Sequence, residues 1–217
     1  MALEEKKIPY RVEKINMRCY GEKPPSFARL QPSCAIPVAI IDGTVYNQSN
    51  DIIYVLEELF PDSKRLLPPS SDNEKRMMAQ SLLRLERTLF SAWMYWLTGG
   101  FDPEGNRASF VKVLNDVERE LMNAPGGDFF LGDSVSLVDF MFAPFLERMA
   151  ASLIFFKGFE IRVAKGRETE FPAINRWFDA MEGLESYQLT KSDYYTHCWD
   201  LPPQLGTFID VLRFIME

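Results

Sequence analysis

The sequence is poor in the residues that build covalent or metal frameworks. It has three cysteines, Cys19, Cys34 and Cys198, and a single histidine, His197, in 217 residues. An odd cysteine count without Cys-x-x-Cys spacing supports neither a disulfide scaffold nor a zinc site, so a reducing compartment, the cytoplasm, is the expectation. With one histidine and no nearby carboxylate motif, a hydrolase triad has no obvious members. Long apolar runs are also missing. The stretch Phe140 to Leu146 is far shorter than the roughly 20 residues that cross a bilayer, and the first residues, Met1 to Lys7, are charged, so neither a signal peptide nor a membrane span is expected. Basic residues are outnumbered, 24 Lys and Arg against 31 Asp and Glu, and the resulting net charge of -7 excludes a stripe made to hold a phosphate backbone.

What is present divides into two grammars. From Tyr10 to Phe60 short segments alternate with turn signals. Tyr10 to Met17 reads as a strand, and Val38 to Ile41 and Thr44 to Tyr46 read as an antiparallel pair joined by Asp42-Gly43, because both turn residues tolerate positive φ. Asn50 to Phe60 then places Ile52, Ile53, Leu56, Leu59 and Phe60 on one helical face, closed by Pro61. The Pro/Ser cluster Leu66 to Asp72 interrupts the periodicity and reads as a linker.

Beyond it the period is helical. Met78, Leu82, Leu85, Leu89, Trp93 and Trp96 form one stripe, and Phe110, Val113, Leu114, Val117 and Leu121 form the next after Gly99-Gly100. A third helix starts near Ser136 and carries Pro144, which should kink it. A fourth starts at Phe171-Pro172 and carries Ile174, Trp177, Phe178 and Met181. These stripes read as core. The segment Tyr194 to Trp199, with His197, reads as a tail packed on the bundle.

Three local patterns carry a resemblance. Ala35-Ile36-Pro37-Val38 opens an apolar strand, where a cis proline would leave the N–H and C=O of Ile36 free to pair with an extended peptide. Asn47-Gln48-Ser49-Asn50 opens a helix whose unpaired N–H groups favour a carboxylate. Ser136-Leu137-Val138-Asp139 is a capping box following Leu131-Gly132-Asp133. In this order and on this layout, the chain resembles a soluble glutathione transferase from about Ala2 to about Gly206.

The resemblance implies an α+β thioredoxin-like N-terminal domain followed by an all-α helical domain. The boundaries expected are 1–62 for the first, 63–72 for a linker, 73–206 for the helical domain and 207–217 for a tail. It also implies an incomplete front: Ala2 to Lys7 matches the end of the first thioredoxin-type helix, so the first strand and the thiol-activating residue are expected upstream of Met1, and Tyr10 to Met17 is expected to lack its ladder partner. No catalytic residue is therefore assigned. Glutathione, as co-substrate, is implied to lie across Ile36 and Pro37, with Ser49 holding the γ-glutamyl carboxylate, Gln48 taking the ammonium and Lys23 approaching the glycyl carboxylate. No metal is implied. A small hydrophobic electrophile would be the second substrate, with Trp93, Trp96 and Phe101 as candidate pocket walls, and a homodimer the assembly, with Arg76, Arg84 and Arg87 on a face open to a partner. The box at Ser136 to Asp139 is implied to be a folding element. Cys34, three residues before Pro37, is the one thiol placed to form a mixed disulfide with glutathione. The alternative reading is a non-catalytic interaction or dimerisation module of the same fold. The tail Thr207 to Met216 suits a helix.

Overall fold

A computed structural model describes residues 1–16, 21–99 and 101–204. Met17, Cys19, Gly100 and the segment Thr207 to Met216 lie outside the described residues. The N-terminal part is a short helix α1 (Ala2–Glu5), a second, α2 (Pro25–Leu30), a hairpin of β1 (Val38–Ile41) and β2 (Thr44–Asn47), and α3 (Ser49–Leu59). The helices that follow are α4 (Asn73–Thr98), α5 (Pro103–Met122), α6 (Leu137–Lys157), α7 (Pro172–Glu182), α8 (Glu185–Gln188) and α9 (Tyr194–Gln204).

The hairpin forms where Asp42-Gly43 allows it. Both residues take positive φ, 49° and 80°, as a two-residue hairpin turn of the primed type requires, and the antiparallel register runs from Ile41 opposite Thr44 to Val38 opposite Asn47. One face packs Ala39, Ile41 and Tyr46 against Ile8, Ile52 and Leu56, while the other leaves Ile40 61% exposed. The strand expected at Tyr10 to Met17 is not there: Tyr10 to Asn16 adopts no regular structure, and Tyr10 and Val12 are exposed. Strand-like composition does not make a strand without a ladder to join, and among the described residues β1 pairs only with β2. The apolar face of α3 is also narrower than its sequence suggests. Ile52, Ile53 and Leu56 are buried, but Leu59 and Phe60 fall at the frayed end and face water.

The main core lies among α4, α5, α6 and α7. Helix α6 is apolar on nearly every side and occupies the centre, with Phe142, Ala143, Leu146, Met149 and Leu153 wholly buried, and it runs through Pro144 without a break in assignment. Trp93 and Trp96 belong to this core, not to a pocket wall, and the Trp93 indole donates to Ser152 Oγ at 3.1 Å. Phe101 is 93% exposed.

The segment between α3 and α4 is anchored. Leu66 is 1% exposed, its N–H donates to Glu57 Oε1 at 3.0 Å, and its carbonyl receives the Leu137 N–H at 2.8 Å. The same Glu57 accepts from the buried Lys6 ammonium at 2.7 Å, which also donates to the Lys64 carbonyl. Two acceptors around one buried ammonium compensate its loss of water. This cluster ties α1, α3 and the start of α6 together. On the other side of α1, Glu5 accepts from Ser186, and Lys7 pairs with Glu185.

Candidate functional site

The hairpin register decides which of the sequence-derived residues meet. With Val38 opposite Asn47, Ile36 and Pro37 enter β1 at the same end of the hairpin at which Gln48 and Ser49 leave β2. The Ile36-Pro37 peptide is cis. Ile36 is 49% exposed, and its backbone N–H and C=O make no hydrogen bond among the described residues. An extended peptide can therefore pair there without displacing anything.

Helix α3 opens at the same place. Gln48 is its N-cap, with φ 70° and ψ 120°, and its side chain does not cap the helix. The first intrahelical bond is from Ile52 N to Gln48 O, so the N–H groups of Ser49, Asn50 and Asp51 point outward unpaired. Aligned peptide dipoles add partial positive charge. Gln48 and Ser49 are both exposed, and the Asn50 side chain brings a buried Oδ1 that has no partner among the described residues. This helix end is suited to a carboxylate next to a donor.

Lys23 is placed differently. Its ammonium donates to the Asn16 carbonyl at 2.9 Å and lies 5.5 Å from the Phe27 ring centre, so its charge is engaged beside α2. Cys34 is half-buried with φ 56°, and its N–H donates to Gln31 O. Cys198 contrasts with it: the thiol is buried on α9, donates to Ala151 O at 3.4 Å, and burial pushes its pKa up to about 11. Thiolate is the reactive species. A maleimide at pH 7.5 is thus expected to label Cys34 in the folded chain and to reach Cys198 only after denaturation, read by peptide mass spectrometry. Labelling of Cys198 at the rate of Cys34 would contradict the packing of α9.

The Ser136 to Asp139 box sits elsewhere, at the start of α6. Asp139 Oδ2 accepts from Ser136 N at 2.8 Å and Ser136 Oγ at 2.7 Å, while Oδ1 accepts from Phe130 N at 3.1 Å and Trp177 Nε1 at 2.9 Å. Burial pushes the Asp139 carboxyl above the ordinary aspartate range, opposed by these four donors. The carboxylate joins three segments of the bundle and has no exposed edge.

Comparison with known proteins decides what this arrangement belongs to. The description Glutathione S-transferase, C-terminal domain matches residues 72–180, half of the chain, and Glutathione S-transferase, N-terminal domain matches residues 1–59. The chain belongs to the glutathione S-transferase family. Glutathione S-transferase DHAR2 of Arabidopsis thaliana is 25% identical over 192 residues, spanning 88% of this chain and 80% of that protein. In fold, the chain is similar to glutathione transferase Omega 3C from Trametes versicolor, with a TM-score of 0.77 and 24% identity over 94% of this chain and 83% of that one. It is also similar to a dehydroascorbate reductase from Chlamydomonas reinhardtii, with a TM-score of 0.73 and 21% identity over 94% and 86%. The two-stranded sheet beside an all-helical half is thus the glutathione S-transferase fold, a thioredoxin-like part followed by a helical one.

Sequence reading missed two carboxylates of this transferase fold that meet partners across the bundle. Glu118 on α5 accepts from Ala173 N at 2.6 Å and Ile174 N at 2.8 Å, and so caps α7 from another helix. Glu147 on α6 lies 3.7 Å from His197 Nε2. Neither had a local signal, because their partners lie 55, 56 and 50 positions away.

Proposed function

We propose that this transferase-family chain binds glutathione across the end of its hairpin. The cysteinyl backbone pairs with Ile36 beside the cis Pro37, the γ-glutamyl carboxylate accepts from the Ser49 hydroxyl and from the N–H groups of Ser49 and its neighbours, and Gln48 meets the ammonium. The observation that carries this reading is that the uncapped start of α3 and the unpaired backbone of Ile36 adjoin the same end of the hairpin. A tripeptide with a carboxylate at one end and amides between fits that pair of features, since each ligand group finds a group that water alone now satisfies. Lys23 would reach the glycyl carboxylate only by releasing Asn16.

The chemistry that accords with the relatives' names is transfer of glutathione to a small hydrophobic electrophile, or reduction of an oxidised acceptor such as dehydroascorbate at glutathione's expense. The division at 1–62, 63–72 and 73–206, a homodimer and a cytoplasmic location belong to the same reading. No helix among the described residues is long and apolar enough to cross a membrane.

Calorimetry tests the site apart from the chemistry. S-methylglutathione is expected to bind within a few-fold of glutathione, because the proposed contacts are to backbone and carboxylate and not to the thiol. Ser49→Ala is expected to weaken both by about tenfold, the effect of losing a hydrogen bond to a charged group. Binding indifferent to Ser49→Ala would place the tripeptide elsewhere. Glutathione-dependent turnover of dehydroascorbate and of an aromatic halide, measured side by side, then separates reduction from transfer.

A further inference from the structure

A second polar site lies in the helical half, remote in sequence from the hairpin and independent of the glutathione reading. Between α6, α7 and α9 is a groove of about 800 Å³ lined by Glu147, Arg162, Asp179, Glu182, Asp193 and His197 among others. At its base Glu147 and His197 face one another with side chains each 10% exposed, and Nε2 stands 3.7 Å from Oε2, beyond hydrogen-bond reach. His197 Nε2 is buried with no partner among the described residues. The hydroxyl of Tyr187, a residue with no exposed surface, has no partner at full hydrogen-bond geometry among the described residues, and burial first, then its approach to the Glu147 carboxylate, raises the pKa of the phenol. Buried polar atoms without partners are uncommon in folded proteins and call for an explanation.

We propose that this groove receives an aliphatic ammonium group, bound at its base between the Glu147 carboxylate and the lone pair of His197 Nε2. The charges of the walls decide the sign of the ligand. Five acids line the groove, Glu147, Glu160, Asp179, Glu182 and Asp193, against Arg162, Lys165 and Lys191. Arg162 and Lys191 are both committed to Glu182, at 2.9 and 2.6 Å, and Lys191 also lies over the Tyr187 ring. Glu160 is paired with Arg167, and Asp193 caps α9 through Thr196. Among the described residues, the Glu147 carboxylate has no cation within bonding distance other than His197 when that is protonated. An anion would meet that carboxylate directly. A metal ion would find one carboxylate and one imidazole, and no cluster of three or more such ligands occurs among the described residues. An ammonium has three donors, enough to meet the carboxylate and an imidazole lone pair at once.

The lone histidine makes the test direct, because the imidazole resonances of the whole chain are those of His197. Two probes carry the same chemistry from different sources: 1,4-diaminobutane for a free small amine, and Nα-acetyl-lysinamide for a lysine side chain. At pH 8 each is titrated at constant ionic strength, with tetramethylammonium chloride as a cation lacking N–H donors. A saturable shift of the His197 signals with either probe, absent with tetramethylammonium, is the expected result, and which probe binds tells the source. Glu147→Gln is expected to weaken binding by about tenfold. The tetramethylammonium comparison is made on the unmodified chain, so it does not depend on any variant folding. Shifts that stay linear or match those with tetramethylammonium would overturn the proposal.

Discussion

Replacing Asp139 with alanine is expected to cost about 4 kcal/mol or more of unfolding free energy, enough to remove much of the stability of an ordinary domain. The Asp139 side chain accepts four hydrogen bonds in a site with no solvent access, from Ser136 N and Oγ, Phe130 N and Trp177 Nε1. Alanine leaves two backbone N–H groups and an indole N–H buried without partners, and each such orphan costs about 1–3 kcal/mol. Asp139→Asn keeps the shape and one carbonyl acceptor, so about half of that loss is expected. Urea denaturation followed by the fluorescence of buried Trp93 and Trp177 reads both variants. A loss below about 1 kcal/mol for Asp139→Ala would mean that these donors find water, and that the α6 terminus is less closed than its geometry indicates.

The second large effect is expected at Glu118. Helix α7 begins with Phe171 as N-cap, which offers no side-chain acceptor, and Pro172 at its first position has no N–H. The donors of the next two residues, Ala173 and Ile174, are buried and rely on the two oxygens of Glu118 from α5. Glu118→Ala is expected to destabilise the chain by about 3 kcal/mol, with Glu118→Gln losing roughly half as much because one acceptor oxygen remains. Hydrogen exchange localises the effect. The amides of Ala173 and Ile174 should lose protection before those of Leu82 and Leu89 on α4. Uniform loss across both helices would show instead that α7 and the bundle open as one unit.

How far the fold was legible follows from where each signal lives. Asp42-Gly43 encodes its turn within two residues, so the hairpin was readable at once. The stripes of α4, α5 and α7 repeat every three or four residues and identified their buried faces, down to Trp177 and Met181. Tyr10 to Asn16 has strand-like composition, but strand formation is a property of pairs, and the segment forms no strand, in keeping with the expectation that its ladder neighbour is missing. Leu59 and Phe60 continue the period of α3 yet are exposed, since periodicity does not say where a partner surface stops. Leu66 looked like part of a linker and is fully buried, because its anchors, Glu57 and Leu137, come from both sides of it.

The candidate site divides in the same way. Ile36, Pro37, Gln48 and Ser49 could be grouped beforehand through two short motifs, and the register of a hairpin of two four-residue strands sets both motifs at one end of it. The engagement of Lys23 by Asn16 and the burial of Trp93 and Trp96 depend on distant packing and needed the fold. Glu118 and Glu147 are single acids on helices with many exposed ones, distinguishable only by partners half a hundred residues away.

The claim at the centre of this account is that the end of the hairpin and the start of α3 form one peptide-binding edge. An amide NMR titration with S-methylglutathione measures it directly, because the ligand has no free thiol to react and reports on binding alone. The predicted result is saturable shifts concentrated at Ile36, Ser49, Asn50 and Asp51, with the amides of α5 and α7 unmoved. Saturable shifts clustered elsewhere, with those four amides silent, would contradict it.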